Sequence, residues 1–230
     1  MKTIVITGAS RGIGFETAKY LASENNRVIA VARTGEALKE LKDHYPEHIH
    51  IHRGDLNNPD DCSGILSLCN DNAFRIDAII NNAGLLISAP FSELSDADWL
   101  SMVQTNLLAP VRLVRNLIPL MNPGSHIVNI SSMGGFQGSS KFPGLSAYSA
   151  SKGALTILTE CLAIELGEHK ISSNCLCLGA VQTEMLENAF PGFEAPVSAA
   201  DMGAYVGNFT LNAHKFYNGK ILPVTLADPG

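Results

Sequence analysis

Two side chains invite chemistry before any fold is known. Tyr148 and Lys152 stand four residues apart, so on a helix they share one side. A free phenol titrates near ~10 and is a poor base at neutral pH. An ammonium about 4–5 Å from the phenolate stabilises it by roughly 3–4 kcal/mol at an effective dielectric of about 20. The spacing therefore predicts a tyrosine whose acidity is raised by the lysine one turn away, brought towards the range of a general acid or base.

A second group of residues opens the chain. Thr7-Gly8-Ala9-Ser10-Arg11-Gly12-Ile13-Gly14 follows a short apolar run and leads into a helical pattern. Glycines there let the backbone turn tightly and approach a pyrophosphate, while the helix N-terminus offers free N–H groups and a positive dipole end. Position between the first strand and first helix of a βαβ unit is the context such a loop requires. The second strand ends Val31-Ala32-Arg33-Thr34, without a carboxylate. An acidic residue at that place accepts from the ribose hydroxyls of NAD, whereas a 2′-phosphate needs cations. Arg33 is a fork-shaped phosphate binder, and Arg11 is a candidate second cation. The expected cofactor is NADP (NADPH) rather than NAD.

The elements that must hold these residues alternate. Strand-like runs occur at Lys2–Thr7, Arg27–Ala32, His48–His52, Ile76–Ile80, His126–Ile130, Ile171–Leu178 and Lys220–Val224, with helical stretches between most of them. Such alternation implies right-handed crossovers and a parallel sheet covered on both faces. Ile4-Val5-Ile6 and Val28-Ile29-Ala30-Val31 are apolar without alternation, as doubly covered strands are. The predicted architecture is an α/β, Rossmann-like, doubly wound parallel β-sheet of about seven strands with helices on both faces, in one domain over residues 1–230. The longest helices are expected at Ser95–Met121 and Tyr148–Gly167. The first has a capping-box start at Ser95-Asp96-Ala97-Asp98 and a kink or break at Pro110. Val103, Leu107, Leu158, Leu162 and Leu166 are candidates for a subunit contact.

Four segments then fall into one order: Asn81-Asn82-Ala83-Gly84, Asn106, Ser131-Ser132, and Tyr148-Ser149-Ala150-Ser151-Lys152. With the glycine loop they make the chain resemble the short-chain dehydrogenase/reductase (SDR) family over almost its whole length. The resemblance implies an NADP-dependent oxidoreductase that interconverts a ketone or aldehyde with an alcohol by hydride transfer. It implies Tyr148 as general acid/base, Lys152 as the cation that lowers its pKa and binds the nicotinamide ribose, Ser132 as hydrogen-bond partner of the substrate oxygen, and Asn106 as holder of a relay water. Ser132 is preferred to Ser131 because it ends the strand before Met133-Gly134-Gly135. Asp55 and Leu56 would meet the adenine, Asn82, Ala83 and Gly84 the adenine ribose, and Val181 and Thr183 the nicotinamide carboxamide and pyrophosphate. A homodimer or homotetramer is implied as well. The competing readings are an epimerase or dehydratase of the extended kind, disfavoured by length, and a non-catalytic NADP-binding sensor or scaffold, which would not need the Ser132, Tyr148, Lys152 and Asn106 set.

Departures from the family pattern are local. Leu178-Gly179 stands where Pro-Gly is common, predicting a looser nicotinamide side. Ser132 and Tyr148 are separated by a few extra residues, expected to bulge within Gly134–Gly144. A small substrate lid is expected at about 185–200, where Met185, Leu186, Phe190 and Phe193 form either a hydrophobic substrate wall or ordinary lid packing. His48, His50 and His52 share one strand face, but no carboxylate or cysteine joins them at ligand spacing, so no metal site is expected.

Composition sets the outer limits. Sixteen Lys and Arg against 22 Asp and Glu give a net charge of −6, which disfavours a nucleic-acid partner. No apolar run approaches the roughly 18–20 residues of a membrane span. The N-terminus reads as a strand rather than a signal peptide. Five irregularly spaced cysteines read as reduced thiols of a cytoplasmic protein. A small-molecule carbonyl or alcohol is the expected partner.

Overall fold

The computed structural model describes residues 1–226; the last four positions of the expected 1–230 domain lie outside the described residues. The sheet strands are β1 (Thr3–Thr7), β2 (Arg27–Ala32), β3 (Ile49–Arg53), β4 (Ile76–Asn81), β5 (Met121–Ser132), β6 (Ser172–Leu178) and, last in the chain, β9 (Ile221–Val224). They form a seven-stranded sheet in the order β3-β2-β1-β4-β5-β6-β9, and every neighbouring pair is parallel. The order reverses between β1 and β4, so the crevice for a ligand lies at the carboxyl ends of those strands.

The near-continuous apolar strands serve two cores. Ile4, Ile6, Val28 and Ala30 join one buried cluster, and Val5, Ile29 and Val31 join the other. The first cluster is closed by α1 (Gly12–Ser23), α2 (Gly35–His44) and α8 (Ala199–Asn212). The second takes Ile65 from α3 (Pro59–Asp71) and Leu113 and Leu117 from α5 (Ala109–Leu117). Successive strand residues point to opposite faces, so both must be apolar when helices cover both.

The expected long helix at Ser95–Met121 is in fact three pieces. Ser95 caps α4 (Asp96–Val103) in a capping box with Asp98. A π-helical turn over Gln104–Leu108 follows, and only then α5. The widening sits ahead of Pro110, which has no N–H to give the preceding turn. The α5 segment ends at Leu117 rather than Met121, because Pro119 falls in a short 3-10 turn and Met121 already belongs to β5. The other long helix, α6 (Ser146–Glu165), starts two residues earlier than expected.

Of the expected subunit-contact residues, Leu166 is buried in the second core and Leu162 packs against it. Val103, Leu107 and Leu158 are half-buried, and the most exposed apolar side chains of these segments are Leu100, Leu108, Ile157 and Ile164. On edge strand β3, His52 donates from Nε2 to the Asp61 carbonyl at 2.9 Å and His50 meets the Phe74 ring edge-on.

His126 on β5 is 1% exposed. It donates from Nδ1 to the Thr210 carbonyl at 3.1 Å, and its Nε2 accepts from Asn174 at 3.0 Å. Both ring nitrogens are satisfied only in the neutral form. Burial drives its pKa from 6.5 down to about 4. The unfolded chain therefore takes up a proton that the folded chain refuses, so stability is full above pH ~6.5 and falls as the pH drops towards ~4. We expect this residue to cost about 2 kcal/mol of unfolding free energy between pH 7 and pH 5. Urea unfolding at the two pH values checks this, and His126→Asn should flatten the dependence.

Candidate active site

A cleft of about 940 Å³ runs along the carboxyl ends of the strands. Every catalytic or cofactor-binding candidate from the sequence lines it except Gly14 and Asn106, which sit behind its wall.

At one end is the loop between β1 and α1. Gly8 has φ +69°, and a Cβ there would lie 2.9 Å from the Ala83 Cα and the Asn82 amide. Only glycine satisfies both demands. Asn82 donates from its side-chain amide to the Thr7 carbonyl at 3.0 Å. The Thr7 hydroxyl accepts the Asn82 and Ala83 N–H groups, each at 3.0 Å. This stapling of β1 to β4 rests on Thr7, which motif reading overlooked because a strand threonine carries no signal of its own. Helix α1 starts with Arg11 at its N-cap and no capping side chain. Its first N–H groups are thus left for an anion, and this loop fits a dinucleotide pyrophosphate.

Arg33 is exposed at the end of β2 and faces the cleft. Arg11 turns to Glu184, its Nη1 donating to both carboxylate oxygens at 2.8 and 2.7 Å. Glu184 opens α7 (Glu184–Ala189), which Thr183 caps by accepting the Leu186 N–H at 3.3 Å. The two-residue strands β7 (Val181–Gln182) and β8 (Val197–Ser198) pair in parallel. They tie the two ends of the 183–196 excursion together. Gly179 donates to the Val224 carbonyl at 2.9 Å, and a Cβ on it would strike Thr225. The segment expected to be loose for want of proline is thus fastened to β9 by a backbone bond. The extra residues before Tyr148 occupy a turn with positive φ at Gly138 and Gly144.

At the other end are Ser132, Tyr148 and Lys152. Ser132 ends β5, with its hydroxyl near enough to Tyr148 to favour the phenolate. Tyr148 lies in the first turn of α6, 9% exposed, with Lys152 one turn on at 3%. The short turn over Met133–Gly135 packs so closely on α6 that a Cβ at Gly135 would lie 2.6 Å from the Lys152 backbone. Ser131 points away from the cleft chemistry and donates to the Lys152 carbonyl at 2.9 Å.

The electrostatics correct one expectation. Lys152 Nζ is 6.0 Å from the Tyr148 ring centre and donates to the Ile130 carbonyl at 2.8 Å. Burial pushes the phenol up to about 12, with the Ser132 hydrogen bond pulling in the opposite direction, and pushes the lysine down to about 8. Both groups are in an apolar enclosure that disfavours either charge, and at this separation the desolvation outweighs the attraction. Burial thus works against the acidifying effect that the spacing alone predicts.

Asn106 has a bracing part as well. Its side chain accepts the Leu85 N–H at 2.8 Å and donates to the Leu85 carbonyl and the Ser151 hydroxyl, both at 2.9 Å. It joins the loop after β4 to α6 through the π-helical turn, and its side-chain donors are fully used there.

Known proteins share this fold and resemble this sequence. The short chain dehydrogenase family model matches residues 2–192. The chain is 34% identical over 215 residues to a fatty acyl-CoA reductase of Acinetobacter baylyi, covering 89% of this chain and 72% of that protein. It is 34% identical over 187 residues to carbonyl reductase [NADPH] 2 of Sus scrofa, covering 79% of this chain and 72% of that one. A solved dehydrogenase/reductase from Sinorhizobium meliloti superposes with a TM-score of 0.89 at 26% identity, covering 100% of this chain and 95% of that one. The chain belongs to the short-chain dehydrogenase/reductase family of oxidoreductases, which bind nicotinamide cofactors and act on small molecules.

Proposed function

We propose that the protein is an NADPH-dependent reductase of apolar ketones or aldehydes, with Tyr148 as the proton donor. The observation that carries this is that Ser132, the buried Tyr148 and Lys152 line the same cleft as the uncapped glycine loop at the start of α1. When bound, the nicotinamide supplies hydride to the carbonyl carbon. Ser132 and Tyr148 donate hydrogen bonds to the carbonyl oxygen, polarising it. As negative charge grows on that oxygen, the Tyr148 proton passes to it, because an alkoxide is a far stronger base than a phenolate. Lys152 then faces a phenolate and has reason to leave the Ile130 carbonyl for it. A solvent proton then restores the Tyr148 hydroxyl, so that, net, one carbonyl, one NADPH and one proton give one alcohol and NADP+.

Gly8, Ser10, Arg11, Gly12, Ile13 and Gly14 serve the pyrophosphate and Arg33 the 2′-phosphate. Asp55 and Leu56 serve the adenine; Asn82, Ala83 and Gly84 its ribose; Val181 and Thr183 the carboxamide side. Preference for NADPH is supported by Arg33, by the absence of a carboxylate at the end of β2, and by likeness to a relative whose name specifies NADPH. The apolar class of substrate is supported by Leu86, Phe142, Leu145, Met185, Phe190 and Phe193 along the cleft. Residues 185–200 act as a small lid on this side. Exposed Leu100, Leu108, Ile157 and Ile164 support a homodimer or homotetramer. No helix among the described residues is long and apolar enough to cross a membrane, and a cytoplasmic setting suits the free cysteines.

The test is nicotinamide absorbance with NADPH and a panel of uncharged apolar carbonyl compounds, with Kd measured for NADPH and NADH. We expect turnover with at least one apolar member, and NADPH bound at least about tenfold more tightly than NADH, which is about 1.4 kcal/mol. Tight NADPH binding without turnover of any member contradicts the catalytic reading, and equal affinity for the two cofactors contradicts the NADP reading.

A further inference from the structure

We propose that Arg53, at the end of β3, is the second arm of the adenosine 2′-phosphate clamp and sets the preference for NADPH together with Arg33. The inference rests on the NADP reading above and deepens it. No motif points to Arg53; the position follows from sheet register and packing alone.

β2 and β3 pair with Ala32 opposite Arg53, so the last residue of β3 stands beside the residue preceding Arg33. Arg53 donates from Nε to the Arg33 carbonyl at 3.1 Å. That bond fixes the base of the Arg53 guanidinium against the turn that carries Arg33. Its Nη atoms make no hydrogen bond among the described residues, and the side chain is exposed. Its aliphatic stem runs beside the start of α2, where a Cβ on Gly35 would lie 3.5 Å from the Arg53 Cδ.

Arg53 stands just outside the residues that line the cleft, and its anchored base places three sources of donors next to one another at this rim: the Arg33 side chain, the Arg53 guanidinium and the start of α2. Thr34, the N-cap of α2, makes no side-chain hydrogen bond to that helix. A phosphate monoester there carries close to two negative charges and suits two guanidinium forks better than one. Glu36, in the first turn of α2, is the one acidic side chain in that turn, and two cations outweigh it where a single arginine would leave no net charge. Arg11, the other candidate cation, is engaged with Glu184 at the start of α7.

The alternative role for Arg53 is purely structural, bracing the turn through the Arg33 carbonyl. Loss of a brace would weaken every dinucleotide alike, whereas loss of a phosphate contact weakens only ligands that carry the 2′-phosphate. The experiment measures Kd by calorimetry for NADPH, NADH, 2′,5′-ADP and 5′-AMP with wild type, Arg53→Gln, Arg53→Lys and Arg11→Gln. We expect Arg53→Gln to raise Kd for NADPH and 2′,5′-ADP about tenfold and to leave NADH and 5′-AMP within about twofold. Arg53→Lys, keeping the charge, should recover part of the loss. We expect Arg11→Gln to have the smaller effect on the ratio. The proposal is overturned if Arg53→Gln leaves all four affinities unchanged, if it weakens all four equally, or if Arg11→Gln alone erases the discrimination. Wild type binding NADH as tightly as NADPH is a separate result: it removes the NADP reading itself, and Arg53 with it.

Discussion

Tyr148→Phe is expected to lower carbonyl reduction by about 10³-fold, within the range that a positioned general acid contributes. The substitution removes one hydroxyl from a residue that is 9% exposed and keeps the ring that fills its place. Its hydroxyl partner, Ser132, remains in reach of the cleft and also accepts the Gly134 N–H at 3.2 Å, so the local turn has a reason to persist. The Kd for NADPH should stay within about twofold, since hydrogen bonding to the dinucleotide rests on the glycine loop and the arginine corner. Steady-state kinetics with the best carbonyl substrate, alongside a fluorescence titration of NADPH, checks both halves. A variant with near-native kcat removes Tyr148 from the chemistry, and one that no longer binds NADPH shows that the ring rather than the proton was lost.

Gly14→Ala is expected to be the most damaging single change outside the reacting groups. A Cβ there would collide with the Gly8 carbonyl and the Asn82 amide. The first is backbone and cannot swing aside. The second is tied to Thr7 and cannot retreat without loosening β1 from β4. Overpacking of this kind costs about 1–3 kcal/mol, which for a chain of this size lowers the unfolding midpoint by about 3–10 °C. The damage also displaces the turn on which the pyrophosphate rests, so dinucleotide Kd should rise at least about 100-fold, or about 2.7 kcal/mol. Differential scanning calorimetry with and without NADPH reads both effects. An unchanged midpoint and unchanged cofactor shift would mean that α1 and the loop can separate freely at this point.

The architecture was readable wherever one local rule dominated. Ile4-Val5-Ile6 and Val28-Ile29-Ala30-Val31 are apolar on both faces because each face meets its own helical layer, and the seven expected strands are the seven found. Boundaries were less readable where side chains send mixed signals. β5 begins at Met121 although Pro123 and Gly124 follow immediately, because this stretch continues beside β4 through an irregular register. The π-helical turn at Asn106 has no periodic signature; Pro110 hints at a disturbance but not at its form.

Within the site, motif residues fell into place together, yet motif spacing carries no account of burial. The four-residue interval put Tyr148 and Lys152 on one side of α6, as expected. It said nothing of the Ile130 carbonyl that takes the lysine, nor of an enclosure that raises the phenol instead of lowering it. Arg11–Glu184 and Arg53–Arg33 are contacts between segments far apart in the chain, and a sequence read locally has no means of pairing them.

The most direct measurement is a crystal structure of the NADPH complex. The account predicts the reduced nicotinamide ring beside the Tyr148 and Ser132 hydroxyls, the pyrophosphate over the start of α1, and the adenosine 2′-phosphate at Arg33. A dinucleotide lying with its nicotinamide outside the cleft, or with Tyr148 turned away from the ring, would contradict it.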